Sequence, residues 1–143
     1  MIIIIFIFKL FNSSFLIKFC NFELVTIINK MHELSIVMGI VKIAEDETAK
    51  VEENTVAKIE LEIGQLAGVE LDALNFVWES AVKDSVLEHA IKTIIEVSGK
   101  AICADCDCEF YLNNIFDSCP NCNSNFKGII QGKELRVKSL EVI

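Results

Sequence analysis

Apolar residues recur at helical spacing over 34–51. Leu34, Val37, Ile40, Val41 and Ala44 share one stripe, and Glu45, Asp46, Glu47, Lys50 and Glu52 lie off it. The spacing predicts a helix that ends near Glu53-Asn54. From Val56 the period changes to two: Ile59, Leu61 and Ile63 alternate with Lys58, Glu60 and Glu62, as in a half-buried strand. Gly64 and Gly68 bracket a turn. A second helix is predicted over about 69–83, with Leu71, Leu74, Trp78 and Ala81 on one side. Residues 90–97 are rich in β-branched side chains and read as a strand. After a cysteine-rich stretch, Gly128 and Gly132 punctuate the return. Leu135, Val137, Leu140 and Val142 then mark a strand running to the C-terminus.

This order predicts an α+β fold. A small mixed or antiparallel three-stranded sheet carries two helices on one face, and a four-cysteine, zinc-ribbon-like domain is inserted before the last strand. The expected division is 31–98 with 133–143 as one domain and 99–132 as the other. No internal repeat is present.

Residues 1–30 differ from the rest. Ile, Phe, Lys and Asn fill 20 of these 30 positions, and all four are encoded by A/T-rich codons. No basic start precedes the apolar run and no small-x-small cleavage site comes after it, so a signal peptide is a weak reading. Met1–Phe8 is too short to span a bilayer, and Lys9 and Lys18 interrupt the apolar residues beyond it. The preferred reading is upstream sequence ahead of a true start at Met31, or an apolar or disordered extension. A membrane role is expected only if residues 1–30 are retained.

The net charge of the 143 residues is −8. Residues 1–30 hold three lysines and one acid, which leaves 10 basic and 20 acidic residues in 31–143. Nucleic-acid affinity rests on Lys and Arg against phosphates, so this balance excludes nucleic acid as the expected partner.

Six cysteines occur: Cys20, Cys103, Cys106, Cys108, Cys119 and Cys122. Five lie within twenty residues, and four form two Cys-x-x-Cys pairs, CADC and CPNC. Clustering of this kind points to a metal rather than to a disulfide framework or a redox dithiol. Four thiolates suit tetrahedral zinc, and iron in a rubredoxin-like site is the rival. A four-thiolate centre is closed, so its role is structural. Pro120 and Asn121 are turn formers that suit the second knuckle. Phe110, Tyr111, Ile115 and Phe126 are the expected core of the module. Cys108 has the wrong spacing for either knuckle and reads as a free thiol, with exchange for Cys106 as an alternative zinc ligand.

One further constellation is Met31-His32-Glu33. If Met31 begins the chain, its α-amine, the His32 backbone nitrogen and the His32 imidazole form two adjoining chelate rings. Nitrogen donors in a plane suit Ni(II) or Cu(II). Taken alone, a histidine near a helix start is a weak signal. His89 reads as a surface residue in a loop, and the pairs around Glu45 and Glu52 as solvated helix surface.

Together these pieces carry a resemblance. MHELSIVMGIV at 31–41, the turn at 64–69, the paired Cys-x-x-Cys motifs and the closing GKELRVKSLEVI at 132–143 resemble the HypA/HybF family of nickel chaperones for hydrogenase maturation. The resemblance covers 31–143. It implies a nickel-binding α/β domain with a zinc domain inserted before the last strand. The family's Met-His-Glu start falls on Met31, His32 and Glu33, with Ni(2+) as transferable cargo. Its zinc cysteines fall on Cys103, Cys106, Cys119 and Cys122. A HypB-type GTPase and the large subunit of a nickel-iron hydrogenase are the implied partners, with urease accessory proteins as further candidates. The chain departs from the family in its first thirty residues, and at Cys108, where a small residue such as Gly is usual.

No nucleophile–base pair, phosphate loop or G-x-S-x-G elbow is present, so no enzymatic activity is expected. The expectation is a cytoplasmic nickel metallochaperone. The alternatives are an acidic zinc-ribbon interaction module without a nickel role, and a rubredoxin-like iron electron carrier.

Overall fold

The computed structural model describes residues 2–5, 22–51 and 55–143. Helix α1 spans Phe22–Lys50 and strand β2 Val56–Gly64; helix α2 spans Leu71–Ala81 and strand β3 Ile91–Val97. Strand β1, Ile2–Ile5, precedes them. The buried positions of α1 are Glu33, Ile36, Val37, Ile40, Val41, Ala44, Glu47 and Thr48. That set advances by three and four residues and defines the inner face. Leu34, expected on this stripe, is 39% exposed, because it sits one residue past Glu33, about 100° around the helix. The helix also starts earlier than its periodic stretch and stops sooner, at Lys50. Residues 52–54, where its end was expected, lie outside the described residues, as does Cys20.

Strands β2 and β3 are parallel, with α2 as the crossover between them. Strand β7, Leu135–Val142, pairs antiparallel with β2. These three form the mixed sheet expected from the pattern. Strand β1 adds a fourth at the outer edge of β7, from Ile2 opposite Val142 to Ile5 opposite Ser139. On one face of the sheet Ile59, Leu61, Ile63, Val137 and Leu140 join Leu74, Val77 and Trp78 of α2 and the stripe of α1 in one core. The other face carries charge. Arg136 Nε donates to Glu62 Oε2 at 2.6 Å, Lys58 pairs with Glu60 at 2.8 Å, and Ser139 Oγ donates to Glu60 at 2.9 Å.

The inserted module is a second sheet, in the order β5-β4-β6. Its strands are β4 (Gly99–Cys103), β5 (Glu109–Leu112) and β6 (Lys127–Gln131). Its core is Ala101, Cys103, Phe110, Leu112 and Cys119. Of the expected core only Phe110 is inside; Tyr111, Ile115 and Phe126 are exposed. Pairing with β4 turns Phe110 and Leu112 inward, so alternation sends Tyr111 outward.

The two sheets meet at a tight backbone crossing. A Cβ on Gly64 would lie 2.0 Å from the Gly132 carbonyl oxygen, and one on Gly132, at φ +103°, would lie 2.5 Å from Gly99 Cα. No side chain fits either position. Gly64 N–H donates to Glu134 O at 2.7 Å, Leu66 N–H to Gly132 O at 2.7 Å, and Gln65 N–H to Val97 O at 2.9 Å. The module is therefore held against the end of β2 rather than tethered to it.

Candidate metal centres

The sulfurs of Cys103, Cys106, Cys119 and Cys122 all lie within 4.8 Å of one another. Cys103 and Cys122 approach to 3.5 Å, and Cys106 and Cys119 to 3.6 Å. A tetrahedron with metal–sulfur bonds of about 2.3 Å has edges of about 3.8 Å. The four sulfurs thus fit a zinc ion with little rearrangement.

Both knuckles are built alike. In the first, Asp107 N–H donates to Cys103 O at 3.1 Å and Cys103 N–H to Cys108 O at 3.0 Å. In the second, Asn123 N–H donates to Cys119 O and Cys119 N–H to Ser124 O, both at 2.8 Å. The residue after each pair, Asp107 at φ +56° or Asn123 at φ +58°, takes the left-handed conformation that Asp and Asn tolerate. Cys108 therefore corresponds to Ser124: each closes a knuckle through its carbonyl. Its Sγ lies 3.5 Å from Glu109 O, and it is outside the four-sulfur group. Burial, then the neighbouring thiols, raise the Cys108 pKa. Ser124 also ties the knuckles together. Its hydroxyl donates to Asp105 of the first and accepts Phe126 N–H at 3.1 Å, while Ala104 N–H donates to Phe126 O at 2.9 Å.

The sulfurs are electrostatically unequal. The Asn121 side chain and then the Cys108 backbone hydrogen-bond to Cys106 and lower its pKa to about 6. At Cys122 the Ser124 backbone favours the thiolate, but hydrogen bonding to the Cys106 and Cys103 sulfurs and burial outweigh it and push the thiol up to about 12. A lowered pKa means that the thiolate is present above it. In this folded arrangement Cys106 thus favours the thiolate and Cys122 the thiol.

The other predicted site lies on α1. Met31 is well inside the helix, so its nitrogen is a peptide nitrogen in this form of the chain. The His32 side chain is 65% exposed, with Nδ1 4.0 Å from Glu33 Oε1. Glu33 is only 2% exposed. Its Oε1 accepts the N–H of Glu70 at 3.2 Å, and its Oε2 has no hydrogen-bond partner among the described residues. Buried carboxylate oxygens are nearly always paired, so this oxygen is an open acceptor beside an exposed imidazole. Glu70, the N-cap residue of α2, was not singled out from the sequence; no spacing rule links it to Glu33 across 37 positions. It also lines an open acidic cleft of about 450 Å³ with Asp72 and Glu96. His89 is exposed in the loop before β3, as expected.

Residues 31–142 match the family model described as hydrogenase/urease nickel incorporation, metallochaperone, HypA. The hydrogenase maturation factor HypA of Parabacteroides distasonis is 43% identical over 112 residues, covering 78% of this chain and 97% of the relative. That of Azotobacter chroococcum is 41% identical over 112 residues, covering 78% and 99%. The solution structure of the Ni metallochaperone HypA from Helicobacter pylori superposes with a TM-score of 0.57 at 26% identity, covering 78% of this chain and 97% of that one. The chain therefore belongs to the HypA family of nickel metallochaperones that serve hydrogenase maturation, and its four-cysteine cluster fits the zinc centre that accompanies the nickel function.

Proposed function

We propose that nickel is held at Met31, His32 and Glu33, in a form of the chain whose Met31 nitrogen is a free amine. The amine, the His32 backbone nitrogen and the His32 imidazole supply nitrogen donors suited to Ni(II). Glu33 completes the set through its backbone or its carboxylate. The observation that carries this reading is the buried Glu33 carboxylate, whose Oε2 has no partner among the described residues while His32 stands exposed beside it. The family match beginning at Met31 supports the same origin for the site, with residues 1–30 as sequence upstream of the working chain. Ligands at a chain end exchange one at a time, which suits handing the ion to a receiver.

On this reading residues 31–98 with 133–143 form the nickel domain. Residues 99–132 form the zinc domain, in which Cys103, Cys106, Cys119 and Cys122 hold a structural ion and Cys108 closes a knuckle. The receiver is the large subunit of a nickel-iron hydrogenase, a HypB-type GTPase works alongside, and urease accessory proteins are further candidate clients. The protein catalyses no reaction and works in the cytoplasm. In support of a setting away from the bilayer, no helix among the described residues is long and apolar enough to cross a membrane.

The test is His32→Ala in a chain beginning at Met31, with nickel binding followed by calorimetry. Affinity is expected to fall by about 100-fold, as for loss of a metal-site group. An unchanged affinity would leave an acidic zinc module without a nickel role.

A further inference from the structure

The outer face of the zinc sheet carries large apolar side chains that lie outside the module's core, beside the Lys100–Glu109 ion pair. Pairing with β4 places Ile102 of β4 and Tyr111 of β5 on the side opposite Ala101, Cys103, Phe110 and Leu112, and Phe126 just before β6 and Ile130 at its register shift are exposed. Tyr111 and Phe126 are each 72% exposed and Ile130 is 51% exposed. At the centre Gly128 pairs with Ile102. A Cβ built on Gly128 would meet nothing within 4 Å. The face therefore has an open floor at Gly128, with Phe126 and Ile130 on either side along the chain, Glu109 beyond Ile102, and Tyr111 next along β5 opposite Lys100. Large apolar side chains clustered on a small module mark an interaction site more often than an accident of composition.

The charges around this face indicate what covers it. Lys100 is bound to Glu109 at 2.5 Å and leans towards the Tyr111 ring, so this pair adds no net charge to the face. Outside that pair, residues 99–132 carry three acids (Asp105, Asp107, Asp117) against Lys127. A dication on four thiolates leaves the metal centre itself negative. A second copy of this chain would bring the same negative charge to the contact, which opposes self-association.

We propose that the face built on Gly128, Ile102, Tyr111, Phe126 and Ile130 docks a segment of another protein that inserts an apolar side chain over Gly128 and surrounds it with Lys or Arg. The zinc centre then has a second role, because it holds this face in register whether or not nickel is bound. The inference does not depend on where nickel sits.

The test uses the zinc-loaded full chain, followed by NMR, with two short helix-forming peptides: one of leucine and lysine, the other with glutamate for lysine. The Leu/Lys peptide is expected to shift the signals of Ile102, Tyr111, Phe126 and Ile130, and the Leu/Glu peptide to leave them in place. Gly128→Gln fills the floor without adding charge and has room to do so; it is expected to weaken the Leu/Lys peptide about tenfold, with zinc content and the remaining spectrum unchanged. Tyr111→Ser is the second variant, expected to weaken it in the same direction. Shifts confined to the acidic helix surfaces, equal affinity for the Gly128→Gln chain, or no binding would each overturn the proposal. Concentration-dependent shifts on this face without peptide would overturn it in favour of self-association.

Discussion

Stripping zinc from this protein, or replacing Cys119 with Ser, is expected to unfold residues 99–132 while α1, α2 and the β2–β3–β7 core stay folded. The module has a five-residue core, and two of the five, Cys103 and Cys119, belong to the four-sulfur cluster. Such a core cannot offset the ordering entropy of the surrounding loops. A structural zinc contributes on the order of 10 kcal/mol to ordering of this kind. The larger core has seventeen buried residues drawn from both helices, strands β2 and β7 and the segment after α2, and contains none of the four cysteines. Hydrogen exchange resolves the two halves. After chelation, protection is expected to vanish at Ala101, Phe110 and Leu112 and to persist at Ile59, Leu61 and Leu140. Persistent protection in the module would mean that the metal is incidental to its fold.

The second large effect is expected at Glu33, and it has opposite signs in two measurements. Glu33→Gln keeps an oxygen for the Glu70 N–H but replaces a buried carboxylate oxygen that has no partner among the described residues. A neutral amide is cheaper to bury than a carboxylate left unpaired. Without nickel the variant is therefore expected to be more stable, by about 1 kcal/mol. Nickel affinity in a chain beginning at Met31 is expected to fall by roughly tenfold or more. Denaturant titration and nickel calorimetry read the two effects. A variant that loses stability and keeps its nickel would assign the Glu33 side chain to holding the start of α2 in place, with no part for its carboxylate in the site.

Most of the fold was legible because its elements bury one face each. The alternation at Ile59, Leu61 and Ile63 and the helical recurrence from Val37 to Ala44 come directly from that. The knuckles were legible because metal-ligand spacing is a local property. Other features depend on pairing partners, which local spacing does not specify. Tyr111 and Phe126 were expected inside because they are aromatic, yet which strand face is buried is set by register with β4. Starting the helical stripe at Leu34 hid Glu33, although Glu33 stands four residues before Val37, on the same face. Its contact with Glu70 joins two elements far apart in sequence. The roles of Ile2–Ile5 and Phe22–Lys30 were not legible either, since an Ile- and Phe-rich stretch lacks the contrast between apolar and polar positions that defines a face.

The central claim is that nickel is held at the Met31 end through a free amine. Nickel titration of the chain Met31–Ile143, compared with the same chain acetylated at Met31 and with the full 143 residues, tests it most directly. The free-amine chain is expected to bind one nickel ion, more weakly as pH falls because the amine and amide must give up protons. Both blocked forms are expected to bind at least about 100-fold more weakly. Equal affinity in all three would place the nickel elsewhere and contradict the account.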